Sequence, residues 1–323
     1  MNSITGALIC ILGFGVLGCQ SQKPAARPLV ELVLPAIGDE PRQFAGLHNV
    51  IRVSDKLLSG SSPDDVAGFE SLRKLGIRTI ISVDGSRPDV DRARERNLRY
   101  VHLPVGYDGI SQEQANRLAR AVRDLPAPIY LHCHHGKHRG PAAAAAVQLC
   151  LDRACTPAAA VEIMKRAGTD PHYTGLFGAP HRLRRPTREE LAAVGSDFPE
   201  TSAVPALVQA MVEIDATWDH LSGIRKAGWK PPKDKPDLDP PHEAKQLGEH
   251  YRELARLNES TSRPADYRQR LLEAEQSAAA LESNLRSNAA TEAIERTFQR
   301  CRTSCAQCHA QFRDVPRKQG SLP

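Results

Sequence analysis

The stretch "PIYLHCHHGKHRGPAAAAAVQLCL" (residues 128–151) decides how this chain is read. An apolar strand-like run, 128–133, passes into a basic, histidine-rich loop and then directly into an alanine-rich helix. Cys133 closes the strand, and Arg139 opens the helix after five intervening residues. The N–H groups of a loop wrapped over a helix N-terminus donate to an anion, and the helix dipole favours negative charge there. The same field stabilises a thiolate, bringing such a cysteine to a pKa of roughly 3.5–7.5 and making Cys133 a candidate nucleophile at neutral pH. Arg139 can hold two phosphoryl oxygens at once, which a lysine cannot. Gly136 lets the backbone approach the phosphate. His134, His135, Gly136, Lys137, His138, Arg139 and Gly140 are therefore the candidate phosphate-binding residues.

A metal is the competing reading of His132, Cys133, His134, His135 and His138. No second cysteine or histidine pair lies nearby at zinc spacing, and Lys137 and Arg139 would repel a cation. A rhodanese-like sulfurtransferase also places a cysteine in an anion-binding loop, but with fewer intervening residues. A loop that only holds an anion is the third alternative.

Outward from this stretch, strand and helix patterns alternate. "IRTIISV" (77–83) and "RYVHLPV" (99–105) read as buried parallel strands. "DDVAGFESLRKLG" reads as a helix ending at Gly76. "SQEQANRLARAVRDL" starts with a Ser111/Gln114 capping box, and Thr156-Pro157 opens a further helix. This alternation predicts an α/β domain over residues 45–180, with a mostly parallel sheet flanked by helices. The basic run "HRLRRPTR" (181–188) reads as a solvated stretch within a linker over 181–199.

From about residue 200 only helical periodicity remains. Leu207, Met211, Ile214, Trp218 and Leu221 form one stripe; Leu247, Tyr251 and Leu254 form a second. Tyr267, Leu271, Ala274, Ala278, Leu281 and Leu285 form a third, and Ile294, Phe298, Cys301, Cys305, Cys308 and Phe312 a fourth. The proline-rich "KPPKDKPDLDPP" (230–241) and "STSRP" separate them. Four amphipathic helices predict an all-α four-helix bundle over 200–315, followed by a tail, 316–323.

At 323 residues the chain has room for two such domains. A net charge of +5, with no basic stripe interleaved with aromatics, excludes a nucleic-acid partner. The first nineteen residues contain the apolar run "ALICILGFGVLGC", too short for a permanent span, and read as an export signal. Residues 20–44 follow as a tether. Of the eight cysteines, Cys150, Cys155 and Cys301 have no proposed role, and three is an odd number for disulfides.

Several resemblances follow from these motifs. Val16-Leu17-Gly18-Cys19 resembles the lipobox of bacterial lipoproteins, although "MNSITG" before it carries no lysine or arginine. It implies lipidation at Cys19, a periplasmic location and membrane attachment through the lipid alone. His132-Cys133-x5-Arg139, with Gly136-Lys137-His138-Arg139 inside it, resembles the cysteine-dependent phosphatases, in particular atypical dual-specificity members. That likeness spans residues 45–180 and implies that Cys133 attacks phosphorus, forms a phosphocysteine and later releases phosphate. It also implies a carboxylic acid that protonates the leaving oxygen. Asp108, in "VGYDGIS", is the first candidate, 25 residues before Cys133, which is short for the family. Asp84, in "VDGSRPD", is the second, its plainer role being to cap its own loop. The family has serine or threonine after the arginine, where this chain has Gly140, and lacking that hydroxyl predicts slower breakdown of the intermediate. With Lys137, Arg139 and three histidines in the loop, a small or highly phosphorylated substrate is expected.

"CAQCH" (305–309) is the c-type haem attachment motif, in which two thiols add to the haem and the histidine ligates iron. A redox dithiol or half a zinc site would not need the histidine. "CAQCHAQFR" on the last of four helices resembles cytochrome c′ and its relatives over residues 200–315. The resemblance implies one covalent haem c on Cys305 and Cys308, with His309 as proximal ligand and Arg313 close to the haem. Met211 is the candidate sixth ligand, His220 a weaker one. A redox partner protein and a homodimer through the bundle are the partners implied. The expectation is an exported phosphatase fused to a haem domain that regulates it or transfers electrons. The alternative is a haem c electron-transfer or sensor protein whose phosphatase-like domain only binds an anion.

Overall fold

The computed structural model describes residue 1 and residues 33–315. The expected export signal with Cys19, most of the tether and the tail 316–323 lie outside the described residues.

The chain starts with strands β1 (Arg42–Phe44), β2 (Leu47–Arg52) and β3 (Leu57–Ser61), then helix α1 (Asp65–Lys74). Strand β4 (Thr79–Ser82), helix α2 (Val90–Arg94), strand β5 (Arg99–His102), helix α3 (Gln112–Asp124) and strand β6 (Ile129–Cys133) follow. Helices α4 (Arg139–Leu151), α5 (Pro157–Arg166), α6 (Thr174–Arg182) and α7 (Arg188–Ala193) complete this half. The expected caps are present: Ser111 and Gln114 form a capping box on α3, and Thr156 accepts from Ala159 N–H at the start of α5.

The strand order is β1-β2-β3-β6-β4-β5. β6 runs parallel to β3 and β4, and β4 parallel to β5. β1 and β2 extend the sheet antiparallel, so it is mixed rather than mostly parallel. The sequence reading missed these two strands for a physical reason. β1 has only three residues, and β2 is interrupted by His48 and Asn49, so neither makes an apolar run.

Both faces of the sheet are covered, as the apolar strands require. Ile129 and Leu131 of β6 join the core shared with α3, α4, α5 and α6, while Tyr130 between them joins the core under α1 and α2. The five alanines Ala142–Ala146 are all buried, and their small side chains bring α4 close to the strands. The segment 181–199, expected as a solvated linker, packs instead. Leu191 and Phe198 enter the first core, and Arg185 donates to the Leu149 and Asp152 carbonyls at the end of α4 (3.2 and 2.6 Å).

The C-terminal region is helical: α8 (Ala206–Lys226), α9 (Pro240–Arg256), the short α10 (Asn258–Thr261), α11 (Ala265–Arg286) and α12 (Thr291–Phe312). The four stripes read from the sequence lie on α8, α9, α11 and α12 and feed one shared core. α9 packs between α8 and α11, and α11 against α12; Trp218 of α8 stacks on Phe298 of α12 at 4.4 Å. Among the described residues no helix is long and apolar enough to cross a membrane.

Candidate functional site

Parallel strands β3, β6 and β4 all end at one edge of the sheet, where ligands of such sheets bind. The Cys133 loop leaves β6 at this edge and enters α4 at Arg139. Three of its carbonyls are held by the surrounding scaffold. Ser62 N–H donates to the His134 carbonyl (2.9 Å), Asn49 Nδ2 to that of Gly136 (2.9 Å) and Thr169 Oγ1 to that of Lys137 (2.6 Å). In a trans peptide the following N–H points the opposite way. The amides of His135, Lys137 and His138 are thereby turned toward the loop's other side. Gly136 has φ +68°, and a Cβ there would collide with the backbone of Gly60 and Ser61. No other residue fits.

Cys133 is buried and a free thiol. Arg139 Nη2 donates to Asp84 Oδ2 at 2.7 Å, and the same oxygen accepts the His134 N–H at 2.7 Å. Ser86 N–H reaches Asp84 Oδ1 at 2.9 Å. Burial opposes the charge of Asp84, but Arg139 and these N–H donors outweigh it and bring its pKa down to about 2. The ion pair with Arg139 gives Asp84 an anchoring role beyond the loop cap expected of it. Arg139 Nε is buried with no hydrogen-bond partner, leaving one charged donor unsatisfied.

Asp108 is half-buried in the loop between β5 and α3. Its backbone is pressed against Gly175 of α6, where any Cβ would meet it. Its neighbour Tyr107 lies against Arg139, whose guanidinium carbon is 4.5 Å from the ring centre. Burial pushes the Tyr107 hydroxyl up to about 12.

The loop histidines sit in different surroundings. Burial lowers His135, and it lowers His138 to about 4, with His138 packed on Tyr173 at 4.4 Å. Only His134 of these three is shifted toward its charged form, by Asp219 Oδ2 at 3.2 Å from its Nε2. His132 is buried against Tyr100 Oη (2.7 Å) and lowered to about 4 by burial. Asp219 belongs to α8, as does Asp215, whose carboxylate lies with the His134 and His135 rings within 4.8 Å, close enough for metal ligands. Both aspartates lie far from the loop in sequence, so no local spacing marks them.

The helical half meets this site at a second place. Arg313, just past α12, has its guanidinium carbon 4.3 Å from the Tyr107 ring centre, so one tyrosine faces both Arg139 and Arg313. Arg313 Nη2 also donates to Tyr173 Oη at 3.3 Å. One turn back, Cys305, Cys308 and His309 stand at i, i+3 and i+4, hence on one helix face. Both cysteines are free thiols, and Tyr251 Oη is 3.1 Å from Cys305 Sγ. Burial, with Arg313 adding to it, lowers His309 to about 3, leaving a neutral imidazole. Two free thiols one turn apart and a neutral imidazole beside them fit the donor set of a c-type haem. Met211 packs against the same core as Cys305 and Cys308. His220 is engaged elsewhere, its Nδ1 2.9 Å from Glu243 Oε2.

No protein-family model matches the sequence, and no curated protein is similar to it. Solved structures are similar to part of this chain. A Cys-to-Ser variant of P. aeruginosa TpbA in complex with phosphotyrosine is 20% identical, with 42% of this chain and 84% of that one covered and a TM-score of 0.37. A further structure of P. aeruginosa TpbA is 22% identical over 45% and 82% of the two chains, with a TM-score of 0.33. A DUF442 protein of Shewanella putrefaciens CN-32, described as a candidate phosphatase, is 19% identical over 41% and 90%, with a TM-score of 0.34.

Proposed function

We propose that this chain hydrolyses phosphate monoesters through a phosphocysteine on Cys133. The observation that carries the reading is the loop itself. A cysteine at a strand end is followed by loop amides turned away from their anchored carbonyls and by an arginine whose buried Nε has no partner, a set of donors that a phosphoryl group would satisfy. In the first step the Cys133 thiolate attacks phosphorus, the P–O bond to the substrate breaks, and the leaving oxygen takes a proton from the Asp108 carboxyl group. In the second step a water oxygen attacks phosphorus and gives a proton back to Asp108. The P–S bond breaks, its electron pair returns to Cys133 as thiolate, and phosphate leaves. Arg139, fixed by Asp84, stabilises the charge on the phosphoryl oxygens in both steps.

The helical half is read as a four-helix bundle of the cytochrome c′ type that carries one haem c, attached to Cys305 and Cys308 with His309 toward the iron and Met211 as the sixth-ligand candidate. When bound, the haem would supply one-electron chemistry or a gas-binding iron. Export, lipidation at Cys19 and attachment to a membrane by that lipid complete the proposal. The contact of Arg313 with Tyr107 supports control of the phosphatase site by the helical half.

The test compares phosphate release from phosphotyrosine by the full chain and by Cys133→Ser. Release that disappears in the variant supports an enzyme; no release from either supports an anion-binding domain on a haem protein. A haem spectrum of the same preparation, repeated with Cys305→Ser/Cys308→Ser, decides covalent attachment. A high-spin five-coordinate reduced iron would remove Met211 from the ligand set.

A further inference from the structure

Gly140 follows Arg139 at the first turn of α4, so the loop lacks a side-chain hydroxyl at that position. A Cβ at 140 would stand 3.5 Å from Cys133 Sγ and 3.2 Å from Ser59 Oγ. The two atoms therefore border the gap that the glycine leaves. Ser59 lies on β3, the strand parallel to β6, where it pairs with Leu131, two residues before Cys133 and on the same face of the sheet. It is 0% exposed, and its Oγ has no hydrogen-bond partner. A buried hydroxyl without a partner costs free energy that a buried alanine would not. Its neighbour Ser61, two residues along β3, shows the usual pattern, bonded to His48 N–H and the Ser62 carbonyl.

We propose that the Ser59 hydroxyl, unbonded in this structure, turns to donate to the Cys133 thiolate across the space left by Gly140, supplying from β3 the hydroxyl that α4 lacks. This rests on Cys133 being the nucleophile of the reading above. When water cleaves the phosphocysteine, the P–S electron pair passes to sulfur and the Ser59 O–H donates to the new thiolate. Ser59 keeps its proton throughout, so the balance of the second step is unchanged. The residues at 59 and 140 then form a pair. A side chain at 140 would crowd Ser59 Oγ at 3.2 Å, and the glycine keeps the serine's path to sulfur open.

The experiment uses the full chain and two readouts. The first is the pH dependence of Cys133 alkylation by iodoacetate, followed by the mass of its peptide, and it needs no turnover. Ser59→Ala, which removes one atom, is expected to raise the alkylation midpoint by about one to two pH units, the equivalent of one hydrogen bond to a charged group. The second is the decay of phosphocysteine in rapid-quench runs, expected to slow about tenfold to a hundredfold in Ser59→Ala. Ser59→Ala/Gly140→Ser puts the hydroxyl back on α4, with the Ser59 Oγ contact removed and the 3.2 Å contact to the Cys133 backbone nitrogen still to be accommodated, and is expected to recover part of both losses. An unchanged alkylation midpoint in Ser59→Ala overturns the proposal. If the wild type releases no phosphate, the phosphatase reading falls, while the alkylation profile still decides what Ser59 does.

Discussion

Replacing Asp84 by asparagine separates two roles that one carboxylate could have here. The folded pKa of Asp84 is about 2 against an ordinary 3.8, a gap worth about 2 kcal/mol of stability at neutral pH. Because the pKa is lowered on folding, that stability is complete above 3.8 and is lost as pH falls through about 2. By linkage the contribution shrinks from about 2 kcal/mol at pH 7 to about 1 kcal/mol at pH 3. Asp84→Asn also leaves the buried Arg139 charge without its partner, which costs about 3–5 kcal/mol when a buried pair is broken. Urea unfolding of both proteins from pH 7 to pH 3 is expected to show a large gap that narrows by about 1 kcal/mol toward acid. In phosphate release Asp84→Asn is expected to weaken kcat/KM by displacing Arg139, yet to keep the shallow dependence on leaving-group pKa that a working general acid allows. Equal stability of the two proteins at pH 7, or a gap that does not narrow, would refute the anchoring role. A steep new dependence on leaving-group pKa would make Asp84 the acid after all.

Asp108→Asn should behave in the opposite way, with kcat on phosphotyrosine reduced about 10²–10⁴-fold but far less on p-nitrophenyl phosphate, whose leaving group needs no proton. Equal losses on the two substrates would remove Asp108 from that step. Arg313→Ala removes a cation–π contact worth about 0.5–2 kcal/mol from Tyr107 and should lower kcat/KM about two- to thirtyfold, with Arg313→Lys recovering part of it. Identical kcat/KM values for the alanine variant and the wild type would show that the helical half only touches the site.

The parts of this fold that were legible in the sequence are those with their own local signature. β6, the Cys133 loop and α4 follow one another without interruption, and the caps at Ser111 and Thr156 are written within four residues. The helical stripes of the C-terminal half repeat at a period only helices use. Features that depend on distant segments meeting were not legible. Asp84 reads as a loop cap until Arg139 is folded onto it, 55 residues later in the chain. Tyr107 looks like an ordinary loop aromatic until Arg139 and Arg313 both arrive beside it. The histidines suggested accumulated positive charge because their number is visible in sequence, whereas their burial and the carboxylates of α8 are not.

The shared Tyr107 ring also has a consequence for the order of synthesis. Cys133, Arg139 and Tyr107 are all made early, but Arg313 is added 180 residues after Cys133. While the chain is still growing, Tyr107 can face only the first of its two arginines. The surroundings of Cys133 are finished only when the last helix has been translated and folded back. An N-terminal half released without that helix would therefore carry every residue of the Cys133 loop and still present an unfinished site.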